Sequence, residues 1–202
     1  EGFFTFELFE NLRNTKEIFN CYDSFTHNGC EAHGPSGDNV HFVKIANENI
    51  EKTIEKEVNK LVSQKLSLGD ITVLSGSHPN KVLQSLVENN KFTLDVNEKN
   101  RVLLSTIHSF KGLENKIIII SNIDKIRDEF KKELLYVACS RAKHILIVVG
   151  DTKDFDLFIK YGKIDPETTF KIIRNSYKNN IFKKFENMYL KKALTKKAKK
   201  II

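Results

Sequence analysis

The polar residues able to do chemistry crowd into one stretch, residues 101–150, which reads RVLLSTIHSFKGLENKIIIISNIDKIRDEFKKELLYVACSRAKHILIVVG. Thr106, His108, Ser109, Lys111, Gly112 and Glu114 form one cluster, and Ser140 with Arg141 a second. Three apolar runs, 102–104, 117–120 and 145–149, flank these clusters and are short and β-branched. Such runs suit strands buried on both faces, as in a parallel sheet covered by helices. Open α/β sheets gather their ligand chemistry at strand ends of this kind.

Three chemistries can be weighed on residue types alone. Nucleotide hydrolysis needs a phosphate cradle of the form G-x-x-x-x-G-K-[ST] and acids for magnesium. The cradle is absent: the single Gly-Lys pair, Gly162-Lys163, is followed by Ile164. Asp124 has no adjoining acid and reads as a turn residue, and Asp128-Glu129 reads as exposed helix surface. Metal-dependent nucleic-acid cleavage could draw on Glu114-Asn115-Lys116 before a strand, with Asp95 upstream, but that pattern is short and common. Zinc could draw on Cys21, His27, Cys30 and His33. Their spacing matches no common finger and Cys21 falls inside an expected helix, so no metal site is expected. Tyr136 and Cys139, at helical spacing among Leu135 and Ala138, read as core.

Order makes the clusters more specific. TIHSFKGLE (106–114) and LLYVACSRAKHILIVVG (134–150) resemble motifs V and VI of superfamily-one, UvrD/Rep-type helicases, and Asn-Leu-Arg-Asn-Thr at 11–15 resembles motif IV. The resemblance implies the second of two RecA-like domains, an α/β fold with a parallel sheet flanked by helices, P-loop NTPase-like but lacking its own phosphate loop. It implies that Arg141 is an arginine finger aimed at the γ-phosphate and that Arg13 is a second cation on the same phosphate. Glu114 would contact the ribose hydroxyl region, with Gly112 allowing close backbone approach. Thr106, His108 and Ser109 would touch single-stranded DNA and couple it to the nucleotide. The bland alternatives are a helix-start arginine pairing with Glu10 or Glu17, and a structurally satisfied His108. One departure is Leu12, where many members carry an aromatic residue that stacks on adenine.

The same resemblance accounts for the missing cradle, which belongs to the first RecA-like domain. The chain is therefore expected to be the C-terminal portion of a longer ATP-dependent DNA helicase or translocase, inactive by itself. ATP and Mg2+ are expected as cofactors, held mainly by an N-terminal RecA-like domain of the same protein. The expected partners are that domain and single-stranded DNA or a duplex junction, with RNA left open. The alternative is a helicase-like scaffold that binds nucleic acid without hydrolysis.

The elements needed to position these residues can be followed along the chain. Residues 3–8 suit a first strand, and Asn14 or Thr15 can cap a helix carrying Ile18, Phe19, Tyr22 and Phe25. Residues 27–38 read as a loop, 40–45 as a strand, and 50–66 as an amphipathic helix. A strand at 71–74, a helix from Pro79 to Leu86 or Val87, and an extended piece at 92–96 precede the central stretch. A helix at 151–161 follows it. Strand and helix alternate as in a doubly covered parallel sheet.

Charge divides the chain in two. Of its 33 basic and 26 acidic residues, 11 and one fall within 171–202, which leaves 22 and 25 in the first 170. Residues 1–170 are expected to form the RecA-like domain, and 171–202 a basic helical tail able to meet a phosphate backbone. Three widely spaced cysteines form no disulfide framework, and no apolar run suits a membrane span or a secretory leader. A cytoplasmic location is expected.

Overall fold

The computed structural model describes residues 10–25, 29–45 and 49–162. The strand expected at 3–8 and the basic tail lie outside them. Strand β1 (Glu10–Asn11) opens the described chain and α1 (Lys16–Tyr22) follows. Thr15 is the residue that caps α1, accepting from the Ile18 amide at 3.4 Å. The segment expected as a pure loop contains a two-residue strand, β2 (Glu31–Ala32), paired in parallel with β1. Strand β3 (His41–Lys44) leads to α2 (Ile50–Ser63), capped by Asn49, and then β4 (Ile71–Ser75).

The helix expected from Pro79 to Val87 is two short ones, α3 (Pro79–Val82) and α4 (Gln84–Val87). They break at Leu83, whose backbone leaves the helical region (φ −135°, ψ 41°) while its side chain is fully buried. Core packing of one leucine overrides the continuous periodicity. Strand β5 is only Phe92–Thr93, shorter than the expected 92–96, because Thr93 and Asp95 side chains accept backbone amides and turn the chain. Strands β6 (Val102–Thr106) and β7 (Asn115–Ser121), helix α5 (Lys131–Cys139), strand β8 (Ala142–Gly150) and helix α6 (Thr152–Tyr161) complete the order. Asp128 and Glu129, expected on helix surface, lie exposed on a single 3-10 turn before α5.

Six strands form one parallel sheet in the order β3-β8-β7-β4-β6-β5. This is the α/β architecture expected from the apolar runs. Side chains of a strand alternate between faces. Ile117 and Ile119 of β7 therefore pack with Ile54, Val58 and Leu61 of α2 and with Leu83 and Leu86. The opposite face, carrying Ile118 and Ile120, is covered by α1, α5 and α6. Burial on both faces explains why β7 reads as an uninterrupted isoleucine run. No helix among the described residues is long and apolar enough to cross a membrane.

Candidate functional site at the two edges of the sheet

Residues that lie close in sequence separate to opposite edges of the sheet. Thr106 ends β6 at the carboxyl edge, level with Ser75 of β4 and Ser121 of β7. Glu114 and Arg141 immediately precede β7 and β8, whose first residues, Asn115 and Ala142, pair at the amino edge. The polar clusters expected at strand ends thus lie at two different ends of the sheet, Thr106 at the carboxyl edge and Glu114 with Arg141 at the amino edge. The connection 107–114 runs from one edge to the other, passing from β6 to β7 across β4.

At the amino edge, four charged side chains meet. Arg13 Nε lies 3.4 Å from Glu114 Oε2, and Lys143 Nζ pairs with Glu114 Oε1. The alternative partners of Arg13 do not apply: Glu17 accepts from the Gly37 amide at 2.7 Å, and no ion pair joins Glu10 to Arg13. The Lys143 hydrogen bond, aided by the charges of Lys143, Arg13 and Arg141, holds the Glu114 carboxyl below its ordinary range. Lys143 stands at a bulge, where Lys143 and His144 of β8 oppose the single residue Lys116 of β7. Bulges re-aim side chains in this way.

Arg141 is held differently. Its Nε donates to the Val137 carbonyl (3.1 Å) and Ser140 Oγ (3.3 Å), Nη2 donates to Ser140 Oγ (2.9 Å), and Nη1 reaches the Leu113 carbonyl at 3.4 Å. All these acceptors are neutral. The guanidinium is oriented without its charge being cancelled by a contacting carboxylate among the described residues. Partial burial, and then the neighbouring Arg13, lower its pKa, so an incoming anion would be favoured there.

The segment bearing Arg13 is fixed from two sides. The loop 33–37 lies directly on it: Lys16 N donates to the Pro35 carbonyl and His33 N to the Asn11 carbonyl, both at 3.0 Å. Gly34 has to be glycine, since a Cβ there would lie 1.9 Å from the Asn14 carbonyl oxygen. From the other side, the buried Asn14 amide reaches the carbonyls of Ser140 and Ala142. Leu12, next to Arg13, is 67% exposed.

At the carboxyl edge, Thr106 Oγ1 accepts from the Ser109 amide (3.0 Å) and meets Ser109 Oγ at 2.8 Å. These hydroxyls shape the turn that leaves His108 on the surface. The His108 side chain makes no hydrogen bond among the described residues, contrary to the structurally satisfied alternative. Ile107 and Phe110 are buried and anchor the turn. Gly112 has φ +88° with nothing within 4 Å of a would-be Cβ. Backbone conformation, with open space beside it, is what calls for glycine here.

The rival constellations are dispersed. Asp95 accepts from Asn97, Lys116 pairs with Asp70 at 3.0 Å, and Glu114 is engaged by Arg13 and Lys143. Cys21 is buried with its thiol pushed up by burial, His33 lies 3.2 Å from Glu31, and His27 is outside the described residues. Among the described residues no three His, Cys, Asp or Glu side chains are grouped to hold a metal ion. Asp124 pairs with Lys125 at 2.8 Å. Cys139 and Tyr136 belong to α5, with Cys139 fully buried and the Tyr136 ring edge-on to Tyr22. Lys143 is a site residue the sequence reading does not name, and Asn14, read there only as a candidate helix cap, instead bonds the backbone around Arg141. Lys143 had only its place beside Arg141 as a signal, and Asn14 its place beside Arg13.

Residues 101–149 match the family described as UvrD-like helicase C-terminal domain. An uncharacterised ATP-dependent helicase of Methanocaldococcus jannaschii is 32% identical over 136 residues, covering 63% of this chain and 19% of that protein. The RecBCD enzyme subunit RecB of Chlamydia muridarum is 33% identical over 60 residues, covering 28% of this chain and 6% of that protein. The chain thus spans less than a fifth of the length of either relative. The crystal structure of the C-terminal domain of a possible DNA helicase from Lactobacillus plantarum WCFS1 superposes with a TM-score of 0.52 at 22% identity, covering 76% of this chain and 89% of that one. Residues 101–149 thus resemble the UvrD-like helicase C-terminal domain, and the six-stranded parallel sheet flanked by helices is a RecA-like α/β fold.

Proposed function

We propose that this chain is the second motor domain of an ATP-dependent DNA helicase or translocase. In this reading the amino edge faces the phosphates of an ATP held mainly, with its Mg2+, by an N-terminal RecA-like domain of the same protein. Arg141 acts as the arginine finger and Arg13 as the second cation. Glu114 pairs with Arg13 and takes the ribose hydroxyl region, and Gly112 leaves room for the nucleotide. The observation that carries this reading is the Arg141 guanidinium, oriented by neutral acceptors beside a second arginine. A preorganised cation of this kind stabilises charge on a transferring phosphoryl group.

The edge fits phosphate better than the divalent cation. Arg13, Lys143 and Arg141 repel a metal, and Glu114 is already paired twice. ATP would bring the phosphoryl group to be transferred, while this chain's residues bind, orient and neutralise. At the carboxyl edge, Thr106, His108 and Ser109 would meet single-stranded DNA. The exposed imidazole of His108 suits a phosphate or base contact, and the Thr106–Ser109 hydroxyl pair holds the turn that presents it.

The test is Arg141→Ala in the full-length protein. ATP binding is expected to persist in part while turnover falls about 10³-fold or more. Unchanged turnover would sink the finger assignment. A full-length protein with no hydrolysis at all, yet intact nucleic-acid binding, would favour the scaffold reading.

A further inference from the structure

We infer that Asn14 is a positioning residue for Arg141, acting through the backbone on both sides of that arginine. The inference rests on the proposed role of Arg141. Asn14 is 1% exposed and its side chain makes four hydrogen bonds. Its Nδ2 donates to the Ser140 carbonyl at 3.2 Å and to the Ala142 carbonyl at 2.6 Å. Its Oδ1 accepts from Tyr22 Oη at 2.5 Å and from Asn11 Nδ2 at 3.1 Å. An asparagine side chain offers two N–H donors and two lone pairs, and all four are in use.

The two accepting carbonyls belong to the residues immediately before and after Arg141. Asn14 therefore fixes the peptide planes flanking the Arg141 Cα, while Val137, Ser140 and Leu113 orient the guanidinium. Ser140 is also the C-cap of α5, where helix carbonyls lack intrahelical partners. Water could satisfy such a group, but only a side chain from another segment ties it to a second site. Asn14 adjoins Arg13, so one clamp sets the spacing of both cations. Tyr22 braces the clamp, its ring edge-on to Tyr136 of α5 with 5.3 Å between centroids. Loosening it shifts the finger without touching the guanidinium, and a misplacement of about 1 Å can cost on the order of 10²-fold in rate.

The test is a double-mutant cycle in the full-length protein. Asn14→Ser shortens the side chain so that it cannot span both carbonyls. It is expected to lower kcat for ATP by about tenfold or more, with KM changed by less than about twofold. In an Arg141→Ala background the same substitution is expected to leave kcat unchanged, because residues acting as a unit are not additive. Thermal unfolding establishes that each variant is folded. Should Asn14→Ser fail to fold, Tyr22→Phe, which removes only the hydroxyl bracing Asn14, is expected to give a smaller loss that also vanishes in the Arg141→Ala background. An equal kcat loss in both backgrounds, or a lowered melting temperature with unchanged kcat, would overturn the inference and make Asn14 a stability residue. Full turnover by Arg141→Ala alone would instead refute the finger assignment beneath it.

Discussion

Replacing Glu114 with glutamine removes one negative charge from the centre of the amino-edge cluster and leaves its shape almost unchanged. The effect on stability should be small. The partners are partly exposed, with side-chain exposures of 37% for Glu114, 39% for Lys143 and 50% for Arg13. Pairs of that kind contribute about 0.2–1 kcal/mol each. The effect on anion binding should be similar in size and opposite in sign. A polyphosphate arriving at Arg13, Lys143 and Arg141 must share these cations with the carboxylate or displace it. Two unit charges about 4 Å apart in bulk water interact by about 1 kcal/mol, the appropriate limit for a partly exposed site. Removing the carboxylate should tighten binding by about fivefold.

Titration calorimetry with inorganic tripolyphosphate at low ionic strength measures this directly, and the gain should shrink in high salt. Tripolyphosphate has no ribose, so it isolates the charge effect. ATP should gain less, because the variant also loses an acceptor for the ribose hydroxyl. Tripolyphosphate binding that is unchanged or weaker in Glu114→Gln would refute the reasoning. The pH dependence follows from the same pairing. The Lys143 hydrogen bond, with the charges of Arg13 and Arg141, holds the folded-state pKa of Glu114 below its ordinary value. The pairing therefore contributes stability above the unfolded-chain pKa and loses it as pH falls through the folded one. Wild type and Glu114→Gln should differ in affinity throughout the neutral range and converge only on the acid side.

Two further substitutions probe the surroundings. Gly112→Ala places a side chain at φ +88° in open space, so its cost is conformational and amounts to about 1 kcal/mol or more. Thermal unfolding should show a drop of roughly 2–4 °C, and an unchanged midpoint would contradict the backbone argument. Leu12→Tyr puts an aromatic ring on a position that is 67% exposed beside Arg13. Stacking on a base is worth about 0.5–1.5 kcal/mol, so adenine nucleotides should bind the full-length protein roughly three- to tenfold tighter. Tripolyphosphate binding should not change, and an equal gain for it would assign the effect to something other than stacking.

The apolar runs at 117–120 and 145–149 disclosed buried strands because both faces of β7 and β8 are covered, which leaves no polar alternation to confuse them. Strand order was less accessible. Placement of β4 between β6 and β7 depends on crossover connections that no local pattern records. The break at Leu83 was hidden for the opposite reason, since periodicity continues through it while core packing turns the backbone. Glu114 and Arg141 could be singled out by their flanking residues. The link from Asn14 to Arg141 could not, because the carbonyls it bonds lie 126 and 128 residues away and nothing near it in sequence announces them. Lys143 acquires its direction from a bulge that exists only once β7 and β8 are paired.

Separation of the site to two edges gives the connection 107–114 a mechanical role in the proposed motor. Thr106 is level with Ser121 and so stands six residues above Asn115 along β7. At about 3.3 Å per residue that is a rise of roughly 20 Å, and crossing β4 adds about 10 Å sideways. Nine residue steps at about 3.4 Å reach at most about 31 Å when fully extended. Turns closed by Phe110 N to the Thr106 carbonyl (3.2 Å) and Leu113 N to the Phe110 carbonyl (3.1 Å) consume much of the difference. Buried Ile107 and Phe110 prevent the segment from bowing outward. A strand of nucleic acid that displaces His108 therefore meets a short, pinned connection whose far end is Glu114. Glu114 is the carboxylate that pairs with Arg13 and Lys143, and its preceding carbonyl on Leu113 accepts from Arg141. In the proposed motor, movement at the carboxyl edge would thus reach Arg13 and Lys143 through covalent chain and two ion pairs, without requiring the sheet to deform.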